Sequence, residues 1–239
     1  MATRALIVTC EHATQRVPPE LAQQFAGRAA RAALASHRGW DPGAIDLARQ
    51  LARRYGAPLF EASVSRLVVD TNRSPGHPRL FSEFTRQLPE ADRRQLTSRY
   101  HAPHQDAVFA AVERLSRRGA TILHLAMHSF TPWWEGQERT TDVGILYDPR
   151  RAGELAFASR LQRELRAVSE WRVHKNAPYR GVADGLPTLL RKHFGPRRYV
   201  GLELEVNQRW FGEKTRRATL RSLLAALHES LAPTRGQRP

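Results

Sequence analysis

Thr121-Ile122-Leu123-His124-Leu125-Ala126-Met127-His128-Ser129-Phe130-Thr131-Pro132 is the stretch on which the fold turns: an apolar run that breaks off at a histidine, a serine and a proline. It reads as a buried strand. A strand of this kind delivers His128 to its carboxyl end, where open α/β sheets gather their ligands. Three other strand-like runs end in the same way. Ala5 to Cys10 runs into Glu11-His12, and Arg66 to Val69 into Asp70-Thr71-Asn72-Arg73. Tyr199 to Val206 carries Glu205 just before Asn207-Gln208. Four runs thus bring metal- or anion-binding side chains toward one expected edge.

The 239 residues, 41% of them hydrophobic, suffice for one sizeable core. The expectation is a single domain over 1–232 and a polar tail over 233–239. No run of eighteen apolar residues occurs, and a strand begins without a charged and then apolar leader, so a cytoplasmic protein with no membrane contact is expected. One cysteine, Cys10, excludes an internal disulfide or a cysteine-rich zinc cluster and fits a reducing compartment. Any metal must therefore be held by His, Asp or Glu. The net charge of +15 attracts anions. Its arginines, however, scatter along helix faces (Arg49, Arg53, Arg93, Arg117, Arg160, Arg216) instead of forming one stripe with interleaved aromatics. That pattern is a solvated surface and argues against a nucleic-acid footprint. Oligomeric state is not legible.

Along the chain, Pro18-Pro19 keeps His12 on a loop at a strand end. Asp41, in Trp40-Asp41-Pro42-Gly43, has two readings. It is an N-cap with proline at the first helical position, or a carboxylate aimed at the same site as His12. Asn72 and Arg73 side by side suit a carboxylate ligand, because both donate hydrogen bonds to it; alternatively Asp70 or Asn72 caps a turn. His101 and His104 lie one helical turn apart and are metal-ligand candidates without a third partner. Trp133-Trp134 sits on an exposed-looking loop that walls a pocket or packs under itself. In Tyr199 to Asn207, Val200, Leu202, Leu204 and Val206 face one way and Glu203 and Glu205 the other. An ionised carboxylate there needs a cation, a metal-bound water or solvent in a cleft. Alternating strands and helices predict a three-layer α/β/α sandwich.

Cys10-Glu-His-Ala13, Ser65-Arg-Leu-Val-Val-Asp-Thr-Asn-Arg73, Tyr100-His-Ala-Pro-His104, His128-Ser-Phe-Thr-Pro132, Asn176-Ala-Pro-Tyr179 and Glu205-Val-Asn-Gln208, in that order, resemble the N-formylglutamate amidohydrolase family. The resemblance covers roughly Ala5 to Trp210 and implies a fold like that of the zinc carboxypeptidases and the acyl-amino-acid deacylases, with a mostly parallel or mixed sheet. It implies His12 and His128 as ligands to one zinc or other divalent ion. The carboxypeptidases place a glutamate ligand three residues after the first histidine, where this chain has Gln15. Asp41 is therefore the expected third ligand, with Glu11 as the alternative carboxylate. Two histidines and one carboxylate leave a position for water, whose pKa falls toward neutrality on zinc. By the same resemblance Glu205 is the general base and Arg66 an oxyanion stabiliser, while Asn72, Arg73 and Tyr179 bind substrate. The implied reaction is hydrolysis of an N-acylated acidic amino acid, specifically N-formyl-L-glutamate to formate and L-glutamate, as in histidine degradation. The partner is then a small anionic amide. The alternatives are a zinc-dependent peptidase or deacylase acting on another carboxylate-bearing amide, and a basic nucleic-acid-binding protein on an inherited hydrolase fold.

Overall fold

The structure is a computed structural model that describes residues 4–232. The tail expected over 233–239 lies outside the described residues. The strands are β1 (Arg4–Cys10), β2 (Leu59–Glu61), β3 (Thr121–Phe130), β4 (Trp133–Trp134), β5 (Gln137–Glu138), β6 (Val143–Leu146), β7 (Val173–Lys175) and β8 (Tyr199–Asn207). The helices are α1 (Arg28–Ala35), α2 (Ala44–Tyr55), α3 (Glu90–Leu96), α4 (Ala102–Arg117), α5 (Ala152–Ala167), α6 (Leu186–His193) and α7 (Arg216–Leu231). No described helix is long and apolar enough to cross a membrane.

Six strands form one mixed sheet in the order β2-β1-β3-β8-β6-β7. β2, β1, β3 and β8 run parallel, β6 pairs antiparallel with β8, and β7 follows β6 in parallel. The quoted stretch is the central strand β3, apolar on both faces because helices cover both. On one face Val8, Leu125, Met127, Leu202, Leu204 and Val206 pack with residues of α2, α5 and α7. On the other, Ile7, Ile122 and Tyr199 pack with α4 and α6. The expected α/β/α layering is the observed one. The parity of β8 also holds, and it turns Glu203 and Glu205 away from the first of these faces, both buried.

Three local expectations need correction. Arg66 to Val69 is not a strand. Ser65 folds it into a turn, its hydroxyl donating to Gly39 O at 2.7 Å and accepting from Leu67 N at 3.2 Å. Leu67, Val68 and Val69 are apolar because they enter a satellite core with Leu21, Phe25, Leu80 and Leu96 beneath the long 63–89 connection. Nor is Asp41 a helix cap. α2 starts at Ala44 after Gly43, whose φ of 82° favours glycine; a Cβ there would meet the Phe211 ring at 2.3 Å. The carboxylate of Asp41 is thereby free to turn to the sheet edge. Trp133 to Glu138 is a short antiparallel hairpin, not a loop.

Candidate metal centre and its cleft

The parallel pairing of β1 with β3 sets the carboxyl end of β1 beside that of β3. His12 follows the first, and His128 lies at the end of the second, opposite Glu205 of β8. The loop carrying Asp41 is tied to the same corner by Asp41 N donating to His12 O at 2.9 Å. His12 Nδ1 and His128 Nδ1 lie 3.2 and 2.9 Å from the same oxygen, Asp41 Oδ2. All three residues are buried, and their ligand atoms lie within 4.8 Å of one another.

The outer ring nitrogens decide what this triplet can hold. His12 Nε2 is 2.8 Å from Asp70 Oδ1, and His128 Nε2 is 3.1 Å from Glu11 Oε2. A neutral imidazole carries one proton; given to Asp70, it leaves His12 Nδ1 as a lone pair facing an Asp41 oxygen. Two acceptors at 3.2 Å repel unless a proton or a cation lies between them. Two nitrogens and one oxygen, with carboxylates behind the rings, fit a divalent ion. Without an ion, protons fill the gap. Burial opposes a charge on His128, but Asp41 and Glu11 outweigh it and push its pKa well above 6.5. His12 is likewise raised: burial and Arg66 oppose its charge, and Asp70 and Asp41 prevail. The carboxyls of Asp41 and Asp70 are held far below their ordinary range despite burial, Asp41 chiefly by His12 and Asp70 chiefly by Arg66.

A cleft of about 390 Å³ opens over the triplet. Arg66, Asn72, Arg73, Tyr179 and Glu205, all expected at a site, line it together with His12, Asp41 and His128. Arg66 pairs with Asp70 at 3.2 Å and with Asp41 at 3.7 Å. Asp70 also accepts from Asn72 N at 3.0 Å, as the turn-capping reading of this segment expects. Arg73 Nη1 donates to Asp184 O, and the Asn72 side-chain oxygen accepts from Leu186 N at 2.8 Å. Glu205 is buried, one of its oxygens has no partner, and its carboxyl is pushed up to about 8. Burial is the main cause, partly offset by His128 and reinforced by Asp41 and Glu203. Gly144, opposite Glu205 on β6, lets the 177–179 segment approach the sheet: a Cβ would stand 2.1 Å from Ala177 O.

Other residues belong to the arrangement although no role was assigned to them from the sequence. Glu203 shares the cleft, and Asp70 backs His12. Arg139 lies over the rings of Phe130, Trp134 and Tyr179 at 5.1 to 5.5 Å and donates to the Tyr179 hydroxyl at 3.0 Å. The two tryptophans gave the one legible signal: both are exposed, and Trp134 walls the cleft and meets the His37 ring edge-on. His101 and His104 are not in the triplet. His101 Nε2 donates to Arg73 O at 2.8 Å, and His104 is buried with its Nε2 unpartnered.

Comparison with known proteins gives four findings. The family model described as N-formylglutamate amidohydrolase matches residues 4–211. Among solved structures, a gene product of Agrobacterium tumefaciens is 28% identical over 95% of this chain and 90% of that one, with a TM-score of 0.78. An N-formylglutamate amidohydrolase from Ralstonia eutropha JMP134 shares the fold at 20% identity, covering 96% of this chain and 94% of its own, with a TM-score of 0.70. No curated protein sequence matches the chain.

Proposed function

Because the chain belongs to the N-formylglutamate amidohydrolase family, we propose that it is a zinc-dependent hydrolase of N-acylated acidic amino acids, with N-formyl-L-glutamate as the leading substrate. The observation that carries the metal dependence is the buried triplet of His12, Asp41 and His128 sharing one cleft with Glu205. The proposal takes residues 1–232 as one catalytic domain, since residues from His12 to Glu205 line that cleft.

His12 Nδ1, Asp41 Oδ2 and His128 Nδ1 would hold the ion, and Asp70 would fix the His12 ring from behind. Bound there, a divalent ion supplies Lewis acidity to the amide carbonyl and to an attacking water. Glu205 accepts the proton of that water and returns it to the leaving amine. Its raised pKa suits the second task, and a cation nearby favours the ionised form that the first requires. Arg66, held in place by Asp41 and Asp70, faces the cleft as the donor to the tetrahedral oxyanion. Asn72 and Arg73 hold the substrate carboxylate, and Tyr179, fixed by Arg139, closes on the substrate as a further wall.

One observation favours a wider acyl range. The aromatic wall of Phe130, Trp134 and Tyr179 along the cleft offers apolar surface that suits an acyl group bigger than formyl. Elemental analysis, with hydrolysis of N-formyl- and N-acetyl-L-glutamate before and after chelation, tests both readings. Stoichiometric zinc with chelator-sensitive activity is expected. Undiminished activity in metal-free protein would reject the metal dependence, and zinc without hydrolysis of either amide would reject the substrate.

A further inference from the structure

Glu11 has no task in the reaction above, yet it is fully buried and neither carboxylate oxygen has a hydrogen-bond partner. Thr71 Oγ1 takes only its main-chain carbonyl, at 2.9 Å. A carboxylate buried without a partner is costly, so the fold alone gives no reason for one here. Its near neighbour is His128: Glu11 Oε2 is 3.1 Å from Nε2, within ion-pair reach though out of line for a full hydrogen bond. Glu203 Oε2 is farther from the same nitrogen, at 4.0 Å.

The sequence position explains the geometry. Glu11 and His12 are consecutive at the end of β1, and consecutive side chains diverge. His12 turns to Asp41 while Glu11 reaches behind His128. For His128 Nδ1 to offer a lone pair at the triplet, the single ring proton must sit on Nε2 and needs an acceptor there. Which imidazole nitrogen binds a metal is set by the bond the other one makes.

We propose that Glu11 is a positioning residue: it accepts the Nε2 proton of His128 and holds that ring with Nδ1 open to the metal beside Asp41. The proposal rests on the metal reading given above, and it separates Glu11 from the ligands. Glu11 mirrors for His128 the part that Asp70 plays for His12.

The test compares the full-length wild type with Glu11→Gln, Glu11→Leu and Asp41→Asn. Zinc affinity is measured by competition with a chromophoric chelator, and the His128 ring tautomer is read by ¹⁵N NMR in the zinc-loaded protein. Outer partners of this kind are worth roughly 10–100-fold in metal affinity. Glu11→Leu should lose that much, and Glu11→Gln, which keeps one acceptor oxygen, about tenfold. The wild-type His128 should carry its proton on Nε2, and zinc binding should be abolished only in Asp41→Asn. Glutamine preserves the side-chain volume, so it carries the test if the leucine variant does not fold. Folded Glu11 variants with wild-type zinc affinity, or a loaded His128 metallated through Nε2, would overturn the proposal while leaving the metal site intact. A wild type that binds no zinc would instead overturn the metal reading and this proposal with it.

Discussion

Replacing Glu205 with glutamine separates its cost to the fold from its use in the reaction. Its carboxyl titrates ordinarily at 4.5 and in the folded protein at about 8, because it is buried near Asp41 and Glu203. The sign follows from proton binding. Below 4.5 the group is neutral in both states. Between 4.5 and about 8 the unfolded chain releases the proton while the folded protein keeps it, so stability falls as pH rises; above about 8 the penalty is constant. At ~1.4 kcal/mol per pH unit the full penalty is on the order of 5 kcal/mol. In a domain of this size each kcal/mol moves Tm by roughly 2–4 °C. Glutamine removes the charge with nearly the same shape. Thermal unfolding of metal-free wild type and Glu205→Gln at about pH 5 and about pH 8 should show near-equal melting at the lower pH. At the higher pH the variant should melt roughly 10 °C above wild type. With zinc present, kcat of the variant should fall by ~10²–10⁴, the usual range for a lost general base. A variant equally destabilised at both pH values, or one that keeps its kcat, would refute this account of Glu205.

Arg73→Ala should raise KM by roughly 10–100-fold and leave kcat within a few-fold, as removal of a contact made equally in ground and transition states requires; steady-state kinetics on N-formyl-L-glutamate would show the split, and a loss confined to kcat would contradict it. Zinc must displace the protons that His12 and His128 hold with raised pKa values, so apparent zinc affinity should rise with pH across neutrality. Calorimetry in buffers of different ionisation enthalpy should detect the released protons. Gly144→Ala drives a Cβ to 2.1 Å from Ala177 O, and the backbone shift should cost about 1–3 kcal/mol. Because Tyr179 rides on that segment, melting temperature and kcat/KM should fall together, whereas a drop in stability alone would detach Tyr179 from the reaction.

His12, His128 and Glu205 were legible in the sequence because a strand end is a matter of periodicity and punctuation. Asp41 was legible only as a choice: Asp-Pro-Gly serves a helix start and a site equally well. The choice falls to Gly43, whose left-handed backbone begins α2 late and releases the carboxylate. Arg66 to Val69 misled because apolar side chains report burial, and here it is burial beneath a long connection instead of within a sheet. The bond from Asp70 to His12 and the stack of rings around Arg139 left no trace, since each joins segments remote in the chain. Glu11 was read as a spare ligand, and only the neighbouring ring shows it lying behind one.

The parallel trio β1, β3 and β8 has a consequence for how the protein comes into being. The bond between Thr9 and His124 closes a separation of 115 residues, and that between Asp41 and His128 closes 87. Such a topology has high contact order, and the entropy of closing these loops is lost before the contacts that reward it are made, which slows folding. On the ribosome, β1 has only the short β2 beside it until β3 emerges, and the cleft has no Glu205 until β8 follows. Nothing capable of hydrolysis exists until most of the chain has been synthesised. Under the proposed metal dependence, an ion binding only the finished corner would act by mass action on the last equilibrium, drawing the assembled state forward instead of nucleating it.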